Sequence, residues 1–383
     1  MIEKSLDTKL ASIHENLTGS REFIIADAKD ADMAFGMAAP GNICGSNEGE
    51  CRFKSLEEYR EQIRQIIRQG VVDIVLMSAS TSEKLCLEER LFENSHITPA
   101  IRANDATDVF AFRGSTIPQE HASPFRTAQL DHAQCGHLDC SPEERGRGAN
   151  LGLYSVTFNN DRTLDLETLN AYNDFRAEAE RKGFRHFLEV FHPNIQESVS
   201  AETVPYFIND VIARTLAGVA SAARPVFLKI PYPGPKALEE LVAYDPHLIV
   251  GILGGSSGTT RDAFQMIHDA QKHGARVALY GRKINHAENQ LAFIEFLRHI
   301  VDGVISPAEA VQAYHSVLEK LSIQPHRPLE EDLQLTESVM SYGGEQPSQE
   351  KQVASIPPSV KVDFSKMSSE DRLAYHRERM KNL

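Results

Sequence analysis

The chain has 383 residues, 41% of them hydrophobic and 25% charged, and a formal net charge of -14. The acidic surplus speaks against a nucleic-acid partner, which calls for a basic stripe, and no run of about 18 apolar residues is present to span a bilayer. The opening stretch MIEKSLDTKLASIHENLTG is charged throughout and lacks the apolar centre of a secretory signal, so a cytoplasmic protein acting on a small molecule is expected.

Residues 1–21 read as an N-terminal helix that covers the bottom of a barrel or frays. The first strand, FIIA, ends in a polar cluster of Asp27, Lys29, Asp30 and Asp32, followed by a Gly/Pro/Asn loop and a helix with period near 3.6 at Leu56, Tyr59, Ile63, Ile66 and Ile67. Further strands are expected at 71–80, 97–103, 151–158 and 186–193, with helices at 82–94, 166–181 and about 203–222. From Pro225 to Gly281 three apolar runs, PVFLKIPYP, LIVGILGGSSG and RVALYG, alternate with two amphipathic spacers, the rhythm of a parallel sheet. Helices at 287–301 and 307–321 follow. Eight strand–helix pairs make an α/β (β/α)8 TIM barrel over 22–323 the economical reading, with an open doubly wound sheet as the alternative. Residues 104–150 form a long insertion after the third strand, a substrate lid by default. The polar stretch 324–383 reads as a linker and a C-terminal helical arm at 369–382 that docks on a neighbouring subunit of a homo-oligomer.

Two charges interrupt buried-looking strands. Lys229 sits among Phe227, Leu228 and Ile230, where burial disfavours the ammonium and leaves an amine able to add to a carbonyl. Glu189, in the preceding strand, is placed to shuttle protons or merely to balance Lys229. Asp27 is expected at the same mouth, and Tyr154 is a proton donor if alternation turns it inward; Asp30 and Asp32 read as solvated. Gly254, Gly255 and Ser256 after the seventh strand, with Gly281 and Arg282 after the eighth, match the usual barrel phosphate site of the last two loops, and Lys283 assists or is exposed. The five cysteines, Cys44, Cys51, Cys86, Cys135 and Cys140, are expected to be thiols or metal ligands rather than a disulfide framework. His132, Cys135, His137 and Cys140 have the ligand types of a zinc site, though four ligands within nine residues are sterically tight.

The run from PVFLKIPYPGPKALEELV through GILGGSSG to GARVALYGRKINHAENQLAF resembles the sixth-to-eighth strand region of class I aldolases of the DhnA and LacD type, which include fructose-bisphosphate, tagatose-bisphosphate and sulfofructose-phosphate aldolases. FIIADAKD and HFLEVFHP extend the resemblance to about residues 22–302. It implies a Schiff-base lysine at Lys229, a fifth-strand acid at Glu189, a first-strand acid at Asp27, and substrate phosphate held by Gly255, Ser256, Gly281 and Arg282. The tagatose type carries a fourth-strand lysine where this chain has Tyr154. The reading is therefore a class I aldolase that reversibly cleaves a phosphorylated ketose, a phosphorylated sugar substrate, with no cofactor and no metal. Its alternatives are a zinc-dependent lyase or isomerase using the insertion, and a non-catalytic barrel that binds a sugar phosphate.

Overall fold

The computed structural model describes residues 2–17, 19–44, 51–255 and 258–336. Parallel strands β1 (Ile24–Lys29), β2 (Ile74–Met77), β3 (Thr98–Arg102), β4 (Leu151–Thr157), β5 (Arg185–Phe191), β6 (Leu228–Pro231), β7 (Val250–Gly254) and β8 (Val277–Tyr280) pair in that order, and β8 pairs with β1 to close the barrel. The (β/α)8 expectation holds. The closed ring rules out the open sheet.

Each strand is buried on both faces, so neither face is marked by polar residues. Inside the barrel, Ile24, Ala26, Leu76, Leu153, Phe187, Phe227 and Leu279 form one apolar cluster. Leu6, Leu10 and Ile13 of the helix α1 (Ser5–Glu15) join that cluster, so α1 plugs the end of the barrel at which the strands begin. Lys4 fastens it by donating to the carbonyls of Phe92, Ser95 and Ile97 at 2.7, 2.7 and 3.0 Å. Outward residues such as Ile25, Val75, Leu188, Leu228 and Ile252 pack in a second cluster against the helices.

Local signals set the helix limits. In α2 (Leu56–Gln69), Ser55 and Glu58 form a reciprocal capping box, and Gly70 ends the helix in the left-handed conformation. The helix expected at 82–94 is instead a short turn, Ala79–Ser82, running into a wider π-type turn, Glu83–Glu88. Next come α3 (Leu130–Cys135), α4 (Arg162–Arg181), α5 (Val204–Ala217), α6 (Pro235–Tyr244), α7 (Thr260–Lys272), α8 (Gln290–Val301) and α9 (Pro307–Lys320).

The insertion divides between the two ends of the barrel. Its first half pairs Asp105–Ala106 with Pro124–Phe125 and is tied to the loops after β4 and β5: Asn159 Oδ1 accepts from the Ala122 amide at 2.9 Å, and Asn194 Nδ2 donates to the Pro118 carbonyl at 3.1 Å. Its second half lies where the strands begin, because Gln134 Nε2 donates to Asn150 Oδ1 at 2.8 Å just before β4 and Lys182, before β5, pairs with Asp131 at 2.6 Å. The cysteine expectation is corrected here: Cys135 and Cys140 are joined by a disulfide, Cys51 is also disulfide-bonded, and Cys86 remains a buried thiol pushed up to about 12 by burial. The residues 324–336, expected to begin a linker, hydrogen-bond to α7; the arm at 369–382 lies outside the described residues.

Candidate active site

The inward parity of the strands decides which side chains reach the mouth. In β6, Leu228 and Ile230 face the helices, so Lys229 faces inward. Glu189 follows the inward Phe187 by two residues and does the same. Both are buried, and Lys229 Nζ lies 2.5 Å from Glu189 Oε1. Across the lysine on its other side stands Gly251, where any Cβ would come within 2.6 Å of the Leu228 carbonyl oxygen.

The other Glu189 oxygen, Oε2, accepts from Ser155 Oγ at 2.6 Å and lies 3.7 Å from Arg102 Nη2. Arg102 ends β3 and is buried; its Nε donates to Asp30 Oδ2 at 2.6 Å and its Nη1 to Ser155 Oγ at 3.1 Å. Asn104 fixes Ser155 from both sides, accepting from its amide at 2.6 Å and donating to its carbonyl at 2.8 Å. The result is a continuous chain from Lys229 through Glu189 and Arg102 to Asp30. Burial opposes the Arg102 charge, but the carboxylates of Asp30, Glu189 and Asp105 outweigh it and hold the guanidinium above its ordinary range. Asp105 is raised to about 6, by burial first, with Arg102 opposing. Burial likewise raises Asp32, which accepts from Ser78 Oγ at 2.6 Å.

Two expected site residues point elsewhere. Asp27 shares the outward parity of Ile25 and pairs with Lys29 at 3.1 Å. Lys29 also donates to Asn285 Oδ1 and, at 3.0 Å, to Gln290 Oε1, so this pair ties β1 to the segment after β8 behind the barrel wall. Burial pushes the Asp27 carboxyl up and the Lys29 ammonium down, their mutual attraction offsetting part of each. Tyr154 is also outward, packed on Tyr172 and Phe175 of α4 with ring centroids 5.0 and 4.4 Å away. Asp30, three residues after Asp27, and Ser155, next to Tyr154, have the opposite parity and occupy the mouth instead. Arg102 was legible by the rule that found Lys229 and Glu189, a charge interrupting an apolar strand.

In the expected phosphate clamp, Gly254 is required by packing, since a Cβ there would lie 2.2 Å from the Tyr280 ring. Gly255 follows the end of β7, Gly281 precedes the short helix Arg282–Asn285, and Ser256 lies outside the described residues. Lys283 links the two loops by donating to the Gly258 carbonyl at 2.8 Å. The zinc candidates do not reach the mouth. Cys135 and Cys140 lie with α3 at the opposite end of the barrel, and among the described residues the one close group of ligand types is Cys135, His137 and Glu144, whose Cys135 sulfur is already taken up in the disulfide.

No family model and no curated protein sequence matches the chain. Solved structures do. A fructose-bisphosphate aldolase from Slackia heliotrinireducens is similar with a TM-score of 0.56 at 15% identity, over 81% of this chain and 91% of that one. An archaeal fructose 1,6-bisphosphate aldolase gives 0.54 at 16% identity, over 77% and 99%. An archaeal fructose-1,6-bisphosphate aldolase whose catalytic lysine carries the carbinolamine intermediate of its substrate gives 0.52 at 17% identity, over 76% and 99%. At these identities the likeness establishes a shared barrel fold.

Proposed function

We propose that the chain is a class I aldolase, cleaving or forming a carbon–carbon bond in a phosphorylated ketose through an imine on Lys229. The observation that carries this reading is the Lys229–Glu189 pair, an amine and a carboxylate 2.5 Å apart and buried in the barrel mouth. The barrel fold shared with an archaeal aldolase whose catalytic lysine carries a carbinolamine supports it.

In this mechanism Glu189 takes a proton from Lys229, and the neutral amine adds to the substrate carbonyl. Glu189 returns the proton to the carbinolamine hydroxyl, which leaves as water and gives an iminium. The iminium withdraws the electrons of the breaking bond while a carboxylate accepts the proton of the hydroxyl beyond it. An aldehyde departs, and protonation and hydrolysis of the enamine regenerate the lysine. The electron sink is the iminium, so the chemistry calls for no metal. Ser155 and Arg102 orient Glu189. Asp105, with a carboxyl near 6, and Asp30 line the route as acceptors for substrate hydroxyls. Gly255, Ser256, Gly281 and Arg282 hold the phosphate.

The test is borohydride reduction with a panel of ketose phosphates followed by peptide mass spectrometry. The peptide containing Lys229 is expected to gain the mass of the reduced ketose. An adduct on another lysine, or turnover of a ketose phosphate with no adduct, rejects the reading.

A further inference from the structure

Arg102 and Lys229 share the mouth with four carboxylates: Asp30 and Asp32 follow β1, Asp105 follows β3 and Glu189 belongs to β5. Two of the acids offset the two cations, through Arg102–Asp30 at 2.6 Å and Lys229–Glu189 at 2.5 Å. Asp32 and Asp105 are left over. Asp105 is 2% exposed and its Oδ1 makes no hydrogen bond; the cation it faces, Arg102, stands 3.9 Å away and is already bound by Asp30. Asp32 Oδ2 accepts from Ser78 Oγ at 2.6 Å, while its Oδ1 is buried without a hydrogen bond. The acids lie close enough to sense one another, since Asp30, Asp32 and Glu189 all help to raise Asp105. Their oxygens do not gather as metal ligands would: among the described residues, no three of these carboxylates bring oxygens within 4.8 Å of one another.

We propose that this acidic wall makes the mouth selective for a ketose monophosphate, whose second half carries hydroxyls and no anion. The inference rests on the function proposed above and narrows its substrate. A buried carboxylate oxygen without a donor costs free energy, which a substrate hydroxyl recovers by donating to it. A phosphate dianion in the same place has no proton to give, and like charges facing each other across a binding surface are disfavoured. Arg102 does not reverse this, because its Nε is held by Asp30, its Nη1 by Ser155, and its Nη2 faces Glu189. The one phosphate belongs on the other side of the lysine. Lys229 is in register with Gly251 of β7, so a phosphate one carbon from the imine is nearest the turn at Gly254 and Gly255. The sugar chain beyond the breaking bond is left to Asp32 and Asp105, and the substrate class that fits is a ketose 1-phosphate.

The experiment is calorimetric titration of the full chain with mannitol 1-phosphate and with mannitol 1,6-bisphosphate at about pH 8, above the value near 6 to which Asp105 is raised. Neither ligand has a carbonyl, so the comparison does not depend on an imine. Wild type is expected to bind the monophosphate at least about tenfold more tightly than the bisphosphate. Asp32→Asn and Asp105→Asn keep the shape of the side chain and remove one negative charge each, so both are expected to narrow that ratio. Should Asp105→Asn fail to fold, Asp32→Asn carries the comparison, since its amide oxygen still accepts from Ser78. Equal or tighter binding of the bisphosphate by wild type, a ratio unchanged in every folded variant, or no binding of either ligand overturns the proposal. Borohydride trapping separates this result from the function. An adduct on Lys229 together with a preference for the bisphosphate leaves the aldolase and removes the selectivity, whereas a preference for the monophosphate with no adduct leaves the selectivity and removes the imine.

Discussion

Lys229 and Glu189 are register partners on neighbouring strands, and their side chains meet at 2.5 Å inside the barrel. On the proposed mechanism the two do different work, which substitution separates. Lys229→Ala and Lys229→Arg are both expected to abolish turnover, since a guanidinium stays protonated and forms no imine. Glu189→Gln keeps the shape and removes the proton carrier, so kcat should fall by about 10²–10⁴-fold with KM changed much less. Steady-state assays with a ketose phosphate check this, and an active Lys229→Arg enzyme sinks the imine.

Arg102 is the hub of the mouth, facing Asp30, Glu189 and, at 3.9 Å, Asp105. Arg102→Met leaves buried carboxylates without their cation, a change that costs about 3–5 kcal/mol in comparable sites. Arg102→Lys keeps the charge but cannot reach Asp30 and Ser155 at once, so an intermediate loss is expected. Urea unfolding measures both; an unchanged midpoint for Arg102→Met means the carboxylates relax into water.

Asp105 gives the mouth a pH dependence. Its carboxyl is raised to about 6 in the fold from an ordinary 3.8, by burial and by Asp30, Asp32 and Glu189, against the pull of Arg102. The native state therefore binds the proton more tightly than the unfolded chain, and this group's contribution to stability falls as pH rises between those two values. At about 1.4 kcal/mol per unit the loss is on the order of 3 kcal/mol. Asp105→Asn should remove that slope and stabilise the protein above the window. Thermal melts on either side of it, for wild type and variant, decide the matter, and parallel curves count against it.

The barrel was legible because its strands are apolar runs spaced by amphipathic helices, a rhythm that survives without knowing which way any side chain points. Parity was not legible. A strand buried on both faces shows no alternation, so Asp27 and Tyr154 were assigned to a mouth that the fold gives to Asp30 and Ser155. Lys229 and Glu189 escaped this problem because a charge in an apolar strand draws notice on either face, and Arg102 in ITPAIRA carried the same signal. The insertion hid its two destinations because polar anchors such as Asn159 and Gln134 hold it, and these leave no periodic trace.

The Cys135–Cys140 disulfide lies at the end of the barrel away from Lys229. Cys135→Ser with Cys140→Ser opens a short loop whose closure stabilises by about 2 kcal/mol on chain-entropy grounds. Melting temperature should drop while kcat and KM stay as they were, and a chelator should leave turnover untouched. Activity lost to the chelator and restored by zinc revives the metal-dependent alternative.

Residues 327–336 clasp the start of α7. Asp332 accepts from the Thr260 amide at 2.7 Å, the Gln334 carbonyl from Thr259 Oγ1 at 2.7 Å, and Asp262 from the Thr336 amide at 2.8 Å, while Arg327 donates to Gly258 at 2.7 Å. A chain cut after Thr336 retains all four bonds; one cut after Ile323 loses them and strands the buried Thr260 amide. A buried donor left without its acceptor costs about 1–3 kcal/mol. The longer truncation should therefore unfold at the same denaturant concentration as the full chain, and the shorter one earlier. Because the clasped turn also carries the loop from Gly255 to Gly258, the shorter truncation should raise KM for a phosphorylated substrate more than it lowers kcat. The number of subunits in solution for the chain cut after Thr336 tests the arm separately, since an unchanged number removes residues 337–383 from any required subunit contact. Equal stability and equal KM in the two truncations would show that the clasp contributes nothing to the loop.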